Sequence, residues 1–322
     1  MRAAVYYSTG APEVFRYEEV PDPVPAANEI LVDVKAIGIE GGDTLNRAGG
    51  DLTQVPHIVG YQCAGLVSTC GDDVKGFSVG DRVVVLGLDG SHAERRAVPE
   101  NFAWRIPDGL GFEEAACIPV AFATAHDCLF HVGRLQVGET ALVHAGAGGV
   151  GIVAIQMAKR AGATVLATAS SEEKLERLGD FGLDHGINYR THEFGAEVRR
   201  LTDGRGVDVV LDSVGGPNLQ ESIRVLAYRG RCVSLGNAGR SGPMPIDVST
   251  MGVNNQMLAG YFLGGELFMD VRAYGVVAQL LQEVAEGSLE VVIDSVFPLD
   301  DAADAHARAE GRRAFGRVVL VP

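Results

Sequence analysis

The 322-residue sequence predicts an α/β protein in two parts, a partly open β-barrel followed by a doubly wound parallel sheet. Three observations predict it. An apolar run at 140–145 stops at a glycine cluster, and a helical pattern starts immediately after it. Residues 1 to about 122 are dense in short strand signals separated by Gly and Pro breaks. From about 123 onward the rhythm changes to helix alternating with strand.

In the first part, alternating or β-branched runs predict strands at 3–7, 29–37, 63–69, 82–86 and 93–98. Pro21, Pro23 and Pro25 mark an extended connection, while Gly71-Asp72-Asp73 and Gly80-Asp81 are turn signals. In the second part, helices are predicted at 123–133, 149–161, 171–181, 193–202 and 217–228. Strands are predicted there at 140–145, 164–169, 207–212, 231–235 and 257–262. After Gly264-Gly265 a long helical segment is expected over 266–286, then a strand at 291–296, an Ala-rich helix at 302–310 and a final strand at 317–321. That last strand lies too far along the chain to extend the second sheet, so it is expected to return to the first part.

The glycine cluster places Gly146, Gly148 and Gly151 in the pattern G-x-G-x-x-G between a strand and a helix. The first glycine permits a tight turn, the second lets backbone approach a pyrophosphate, and the third lets the helix pack closely. The helix N-terminus then faces the negative charge. Val150, Val153, Ala154, Met157, Ala158 and Ala161 share a helix face, Lys159 and Arg160 fall in the last turn, and Gly162 ends it. The frame is that of a dinucleotide-binding βαβ unit.

Composition bounds the partners. Apolar residues at 47% and charged residues at 21% describe an ordinary globular protein with ample core. The formal charge of −15 argues against nucleic acid or an anionic membrane as main partner, and leaves any anionic cofactor to a local positive pocket. The five cysteines (63, 70, 117, 128 and 232) contain no C-x-x-C pair, which reads as reduced thiols. The N-terminus lacks signal-peptide features, and no apolar run approaches the ~20 residues of a membrane span. A cytoplasmic location is expected.

Several fragments then carry a resemblance in sequence order. They are Gly38-Ile39-Glu40-Gly41-Gly42-Asp43-Thr44, Val79-Gly80-Asp81-Arg82-Val83, Ile118-Pro119-Val120-Ala121-Phe122-Ala123-Thr124-Ala125, and Gly138-Glu139 with the 144–151 turn and Gln156-x-x-Lys159. Asp212-Ser213-Val214-Gly215-Gly216, Leu235-Gly236-Asn237-Ala238 and Gly316-Arg317-Val318-Val319-Leu320 complete the set. Over its whole length the chain resembles the zinc-independent medium-chain dehydrogenase/reductases, in their NADPH-dependent quinone oxidoreductase (zeta-crystallin-like) branch. The resemblance implies a GroES-like catalytic domain, residues 1–122 completed by 265–322. It also implies a Rossmann NADPH-binding domain at 123–264, with the active site in the cleft. Cofactor contacts implied in the same way are Thr124, Gly146, Ala147, Gly148, Gly149, Val150, Gly151, Ser170, Lys174, Tyr189, Ser213, Val214, Asn237, Phe262, Leu263 and Arg317. A homodimer is expected through the strand at 257–262, which reads Met-Leu-Ala-Gly-Tyr-Phe and is too apolar for an exposed edge.

The cofactor choice rests on a missing acid. NAD-binding units carry Asp or Glu about 20 residues after the glycines, on the ribose 2′-hydroxyl. Here that strand ends Thr168-Ala169-Ser170-Ser171. In the resembled family a Lys and a Tyr at the places of Lys174 and Tyr189 clasp a 2′-phosphate, so Ser170, Lys174 and Tyr189 point to NADPH. The competing reading makes Ser170 with Glu173 a capping box and Lys174 a solvated first-turn residue, like Arg177. Glu172 and Glu173 would oppose a phosphate if turned inward.

Zinc-dependent members of the superfamily hold the catalytic metal with Cys, His and Cys, and the matching places here are Glu40, Tyr61 and Val120. The four-cysteine structural lobe has no counterpart. The eight histidines (57, 92, 126, 131, 144, 185, 192 and 306) show no ligand spacing and read as surface groups or satisfied polar contacts. No metal is expected. Without a Lewis acid the acceptor should be an electron-poor conjugated system, a quinone or an α,β-unsaturated carbonyl.

The candidate polar lining is Glu40, Asp43, Asn46, Asp51 and Tyr61. Glu40 stands where quinone oxidoreductases usually carry Asn, and Asp51 where several carry Tyr. Glu40 reads either as a shielded proton donor with a raised pKa or as a salt-bridged carboxylate. Asp43 reads either as catalytic or as structural, holding a turn or pairing with Arg47. An enoyl-thioester or polyketide enone reductase is a second reading; Arg95, Arg96, Arg240, Arg312 and Arg313 are the only obvious basic groups for a phosphopantetheine arm. A non-catalytic NADPH-binding or structural protein is a third.

Overall fold

The computed structural model describes residues 1–242 and 244–322. The chain divides into two units, Met1–Ala123 with Gly264–Pro322, and Thr124–Leu263.

In the first unit, strands run over Arg2–Val5 (β1), Arg16–Glu19 (β2), Glu29–Gly38 (β3), Gln62–Cys70 (β4), Arg82–Leu86 (β5), Arg95–Pro99 (β6) and Ala103–Arg105 (β7). In the second they run over Thr140–Val143 (β8), Thr164–Ala169 (β9), His185–Asn188 (β10), Val207–Asp212 (β11), Leu226–Ser234 (β12) and Met257–Gly260 (β13). Ile293–Pro298 (β14) and Arg317–Val321 (β15) belong to the first unit again. A seven-stranded sheet has the order β14-β15-β3-β4-β5-β7, with β6 also pairing β3, and β1 and β2 form a separate antiparallel pair. β15 enters antiparallel to β3, setting Val319 opposite Gly38 and Leu320 opposite Ile37. The core here is the alternating inward face of these strands, including Ile30, Val32, Val34, Ile37, Val67, Val83, Val85 and Leu320.

The second unit holds a six-stranded sheet in the order β10-β9-β8-β11-β12-β13. Every pairing in it is parallel, the doubly wound arrangement. Its central strands are buried throughout, as β8 is at all four positions, because helices cover both faces of such sheets. The Gly149–Arg160 helix buries Ile152, Val153, Ile155, Met157 and Ala158, and its basic last turn suits the helix dipole.

Several elements differ from expectation. β10 was not expected, because His185-Gly186-Ile187-Asn188 is short and half polar; it forms by pairing along β9. The helix Gly41–Gly49 was also missed, since its glycines mask the pattern. The segment expected at 123–133 starts earlier, as a helix over Ile118–His126, and ends in a wide-pitched turn over Asp127–Val132. The long helix expected over 266–286 is two helices, Leu263–Met269 and Arg272–Ala285, separated where Asp270 accepts the Arg272 N–H at 2.9 Å. The helix expected to reach 228 stops at Arg224 because Leu226 is already in β12, beside Val207.

Candidate active site

In the first unit the buried polar groups gather where β3 ends, the Gly41–Gly49 helix begins and β4 and β15 start. Glu40 is the extended residue before that helix. Asp43, one turn in, accepts the Glu40 N–H at 2.8 Å on one carboxylate oxygen and the Tyr61 N–H at 3.2 Å on the other. It ties the helix start to the approach of β4, so of its two readings the geometry gives the turn-holding one. Burial raises its pKa to about 7, opposed by those two N–H groups. Arg47, the other proposed partner of Asp43, is buried and pairs with Glu310 at 2.6 Å.

Glu40 is 5% exposed and Arg317 6%. Arg317 donates to both Glu40 oxygens, at 3.0 Å to Oε2 and in a shorter contact to Oε1, and also to the Ile39 carbonyl at 2.9 Å. The Gln62 amide donates to Glu40 Oε1 at 2.6 Å, and its own oxygen accepts the Val120 N–H at 2.9 Å. Glu40 is therefore the salt-bridged carboxylate of its two readings. Burial pushes its carboxyl up, and Arg317 and Gln62 pull it back by stabilising the charge. Arg317, expected on the cofactor, has its charge turned on Glu40 instead: pairing of β15 with β3 delivers its first residue to the point where β3 gives way to Glu40.

Tyr61 is partly buried, and its phenolic oxygen accepts from the Asn46 amide at 3.1 Å. Burial, and then the neighbouring Asp43, raise its pKa. Asp51 is exposed in the loop after the helix and, among the described residues, makes no side-chain hydrogen bond or ion pair. Sequence reasoning missed Gln62, and it named Arg96 only as a basic group for a phosphopantetheine arm. Gln62 is found from strand register, facing Gly38 across β3 and β4, while Arg96, on β6, donates to the Tyr61 carbonyl at 2.9 Å.

The second unit carries the glycine turn expected to cradle a nucleotide. Ala145 takes the left-handed conformation at φ 51°, so the tight turn falls on it rather than on Gly146. Gly146 is needed for close packing, since a Cβ there would lie 2.9 Å from that of Ala167. At Gly151 a Cβ would sit 2.4 Å from the Ala145 carbonyl oxygen and 2.7 Å from that of Gly146. Ala147, Gly148, Gly149 and Val150 complete the turn into a 12-residue helix, whose first N–H groups have no partners inside the helix.

At the far end of β9, Asn188 pairs with Ala169 and the Tyr189 N–H bonds the Ala169 carbonyl at 3.2 Å. The next helix is capped by Ser171, which accepts the Lys174 N–H at 3.3 Å, and not by Ser170 as the capping-box reading supposed. Ser170, Lys174 and Tyr189 thus lie in the segments just beyond the ends of the adjacent strands β9 and β10. Glu172 is held by the Asn188 amide at 2.9 Å. Beyond β11, Asp212 accepts the Val214 and Gly215 N–H groups, and the Ser213 and Val214 carbonyls accept those of Ala238 and Gly239. Asn237 closes its own turn onto Ser241. Thr124 is buried in its helix, Phe262 is exposed and Leu263 is buried.

Of the histidines, His144 is a satisfied core contact between Thr168 and Ser222, each at 3.0 Å. His92 and His306 lie buried with their Nε2 atoms 2.9 Å apart, while among the described residues their Nδ1 atoms make no hydrogen bond of ordinary geometry.

The family model described as a zinc-binding dehydrogenase matches residues 149–286, and that of the alcohol dehydrogenase GroES-like domain matches residues 26–108. A 2-haloacrylate reductase of Burkholderia sp is 34% identical, over 99% of this chain and 98% of its own. A quinone oxidoreductase of Pseudomonas aeruginosa is 34% identical, over 97% of each chain. The structure of Escherichia coli quinone oxidoreductase complexed with NADPH superposes with a TM-score of 0.94 at 30% identity, covering all of both chains. With fold, cradle and these relatives in agreement, the chain belongs to the quinone oxidoreductase branch of the medium-chain dehydrogenase/reductase superfamily, and is an oxidoreductase with a nicotinamide cofactor.

Proposed function

We propose that the protein is an NADPH-dependent reductase that delivers hydride to a quinone or other conjugated carbonyl acceptor without a metal. The observation that carries this reading is the closed set Glu40, Arg317 and Gln62. At the places where zinc-dependent members bind metal, Glu40 has both oxygens occupied and Val120 has no donor atom. That donor set does not fit zinc. Reactivity must then come from the acceptor, which takes hydride at carbon and spreads charge to oxygen. The reductase activities named for the Burkholderia and Pseudomonas relatives support this.

NADPH is favoured over NADH because β9 ends without a carboxylate, Ser170, Lys174 and Tyr189 lie just beyond the adjacent ends of β9 and β10, and the Escherichia coli neighbour carries NADPH. The Gly146–Gly151 turn would hold the pyrophosphate, and Ser213, Val214 and Asn237 lie in loops stitched together beyond β11. When bound, the reduced nicotinamide supplies hydride.

A screen of NADPH oxidation over quinones, small enones and enoyl thioesters tests the reading. Turnover with quinones or enones is expected. Robust turnover of simple aldehydes, or loss of activity to a chelator, overturns it.

The same reading includes a homodimer in the cytoplasm. β13 is the terminal strand of its sheet, yet Met257 and Leu258 are exposed on it and Phe262 just beyond it. The free cysteines suit a reducing compartment. Light scattering at micromolar concentration should give twice the chain mass, and Leu258→Lys should give the monomer.

A further inference from the structure

We propose that Tyr61 donates a hydrogen bond, and then a proton, to the carbonyl oxygen of the acceptor, with Asn46 as the residue that aims it and Gly42 as the residue that makes room for it. This rests on the reductase reading above.

The carboxylates beside Tyr61 are spent. Glu40 accepts from Arg317 and Gln62, and Asp43 accepts two backbone N–H groups. Thr44 donates its hydroxyl to the Gly41 carbonyl at 2.8 Å. Tyr61 differs. Its oxygen accepts from the Asn46 amide at 3.1 Å, and a phenol that accepts still has its one O–H to give. Among the described residues no group accepts that proton. The amide fixes the oxygen while leaving the donor available, the arrangement needed to meet an oxyanion.

Gly42 supports the assignment independently. A Cβ at that position would lie 2.4 Å from Tyr61 Cε2 and 2.6 Å from its hydroxyl oxygen. Glycine is a poor helix former, yet it stands in the first turn of the Gly41–Gly49 helix, beneath the ring. The charged groups facing the phenol are Asp43 and Glu40. Burial and these charges raise its pKa, so it is protonated at neutral pH.

For an enone the reaction balances as follows. Hydride, with its two electrons from the reduced nicotinamide dinucleotide, bonds to the β-carbon. The C=C π pair moves to give an enolate, and the Tyr61 O–H bond breaks, passing its proton to the enolate oxygen. The phenolate takes a proton back from water. The acceptor is reduced and the dinucleotide oxidised.

The test compares wild type, Tyr61→Phe, Asn46→Ala, Gly42→Ala and the Gly42→Ala/Tyr61→Phe double variant with a small enone and a benzoquinone. Binding of NADPH and the thermal midpoint are measured on each. Tyr61→Phe should lower kcat for the enone about 100-fold or more, with NADPH binding kept, and lower the quinone rate far less. Gly42→Ala should lose enone turnover similarly, and the double variant should be no slower than Tyr61→Phe. Asn46→Ala should cost less and move the alkaline limb of the kcat profile to higher pH, since the amide it removes stabilises the phenolate. If Tyr61→Phe keeps most enone turnover, or Asn46→Ala leaves the pH profile unmoved, the proposal is wrong while the reductase reading stands. If the wild type consumes NADPH with no conjugated acceptor, both fall.

Discussion

In the second unit the groups proposed to meet the cofactor are largely backbone: the turn at 145–151, the loops beyond β11 and the end of β9. In the first unit the equivalent density of polar atoms is side chain, and most of it is turned inward, Glu40 on Arg317 and Gln62, Asp43 on two N–H groups. A cofactor common to a whole superfamily can be met by main chain, which any sequence with glycines in the right places will supply. Buried polar groups must each be satisfied or they cost stability. The first unit closes that set on Arg317, Gln62 and two N–H groups, and the Tyr61 hydroxyl is where the closure stops short.

The largest effect should come from opening that closed set. Arg317→Met leaves Glu40 buried without its counter-charge, which should cost about 3–5 kcal/mol of stability. Adding Glu40→Gln should recover much of that, because a neutral amide needs no cation. Urea unfolding of the two variants decides it. A loss under about 1 kcal/mol for the single variant would show that the pair is no more than a surface-type bridge.

The second unit should respond through its ligand. On the proposed reading Lys174→Ala removes a charge-assisted contact to the 2′-phosphate, so it should weaken NADPH binding by about 1.5–3 kcal/mol and leave NADH nearly unchanged. Titration with both cofactors separates the readings. Equal losses for the two would mean that Lys174 supports the helix that Ser171 caps, and does not read the phosphate.

The same contrast explains what the sequence revealed. The parallel sheet was legible because fully buried strands and a glycine turn leave strong local patterns, and β9, β11 and the helices between them run close to where periodicity put them. β10 was not legible, because its four residues owe their conformation to β9. Of the site, the polar residue types near 40–61 stood out, but their roles did not. Glu40 depends on Arg317, which is 277 residues away in the chain, and on Gln62, visible only through the register of β3 with β4. Asn46 and Tyr61 were both in view; what joins them is the turn of helix that carries Asn46 past the ring over Gly42.

The smallest effect expected at neutral pH concerns the pair His92 and His306, buried in the first unit against Phe15. Burial lowers the His92 pKa to about 3 and that of His306 well below its ordinary value of 6.5. Arg96 near the first and Arg47 near the second press the same way, and the two rings disfavour a second charge between them. Both are therefore neutral in the fold and take up protons on unfolding below pH 6.5. The sign follows directly: the unfolded chain binds more protons, so this stability is fully present above pH 6.5 and is lost as pH falls toward 3. Each histidine should contribute about 1.4 kcal/mol per pH unit over that window. In His92→Leu/His306→Leu, two apolar groups replace a contact that satisfies only one nitrogen of each ring, so stability at pH 8 should change little. The acid limb should then flatten between pH 6 and pH 4. Parallel limbs for the variant and the wild type, in urea midpoints taken across that range, would place the acid sensitivity elsewhere, with the paired carboxylates such as Asp208 and Asp294 the next groups to test.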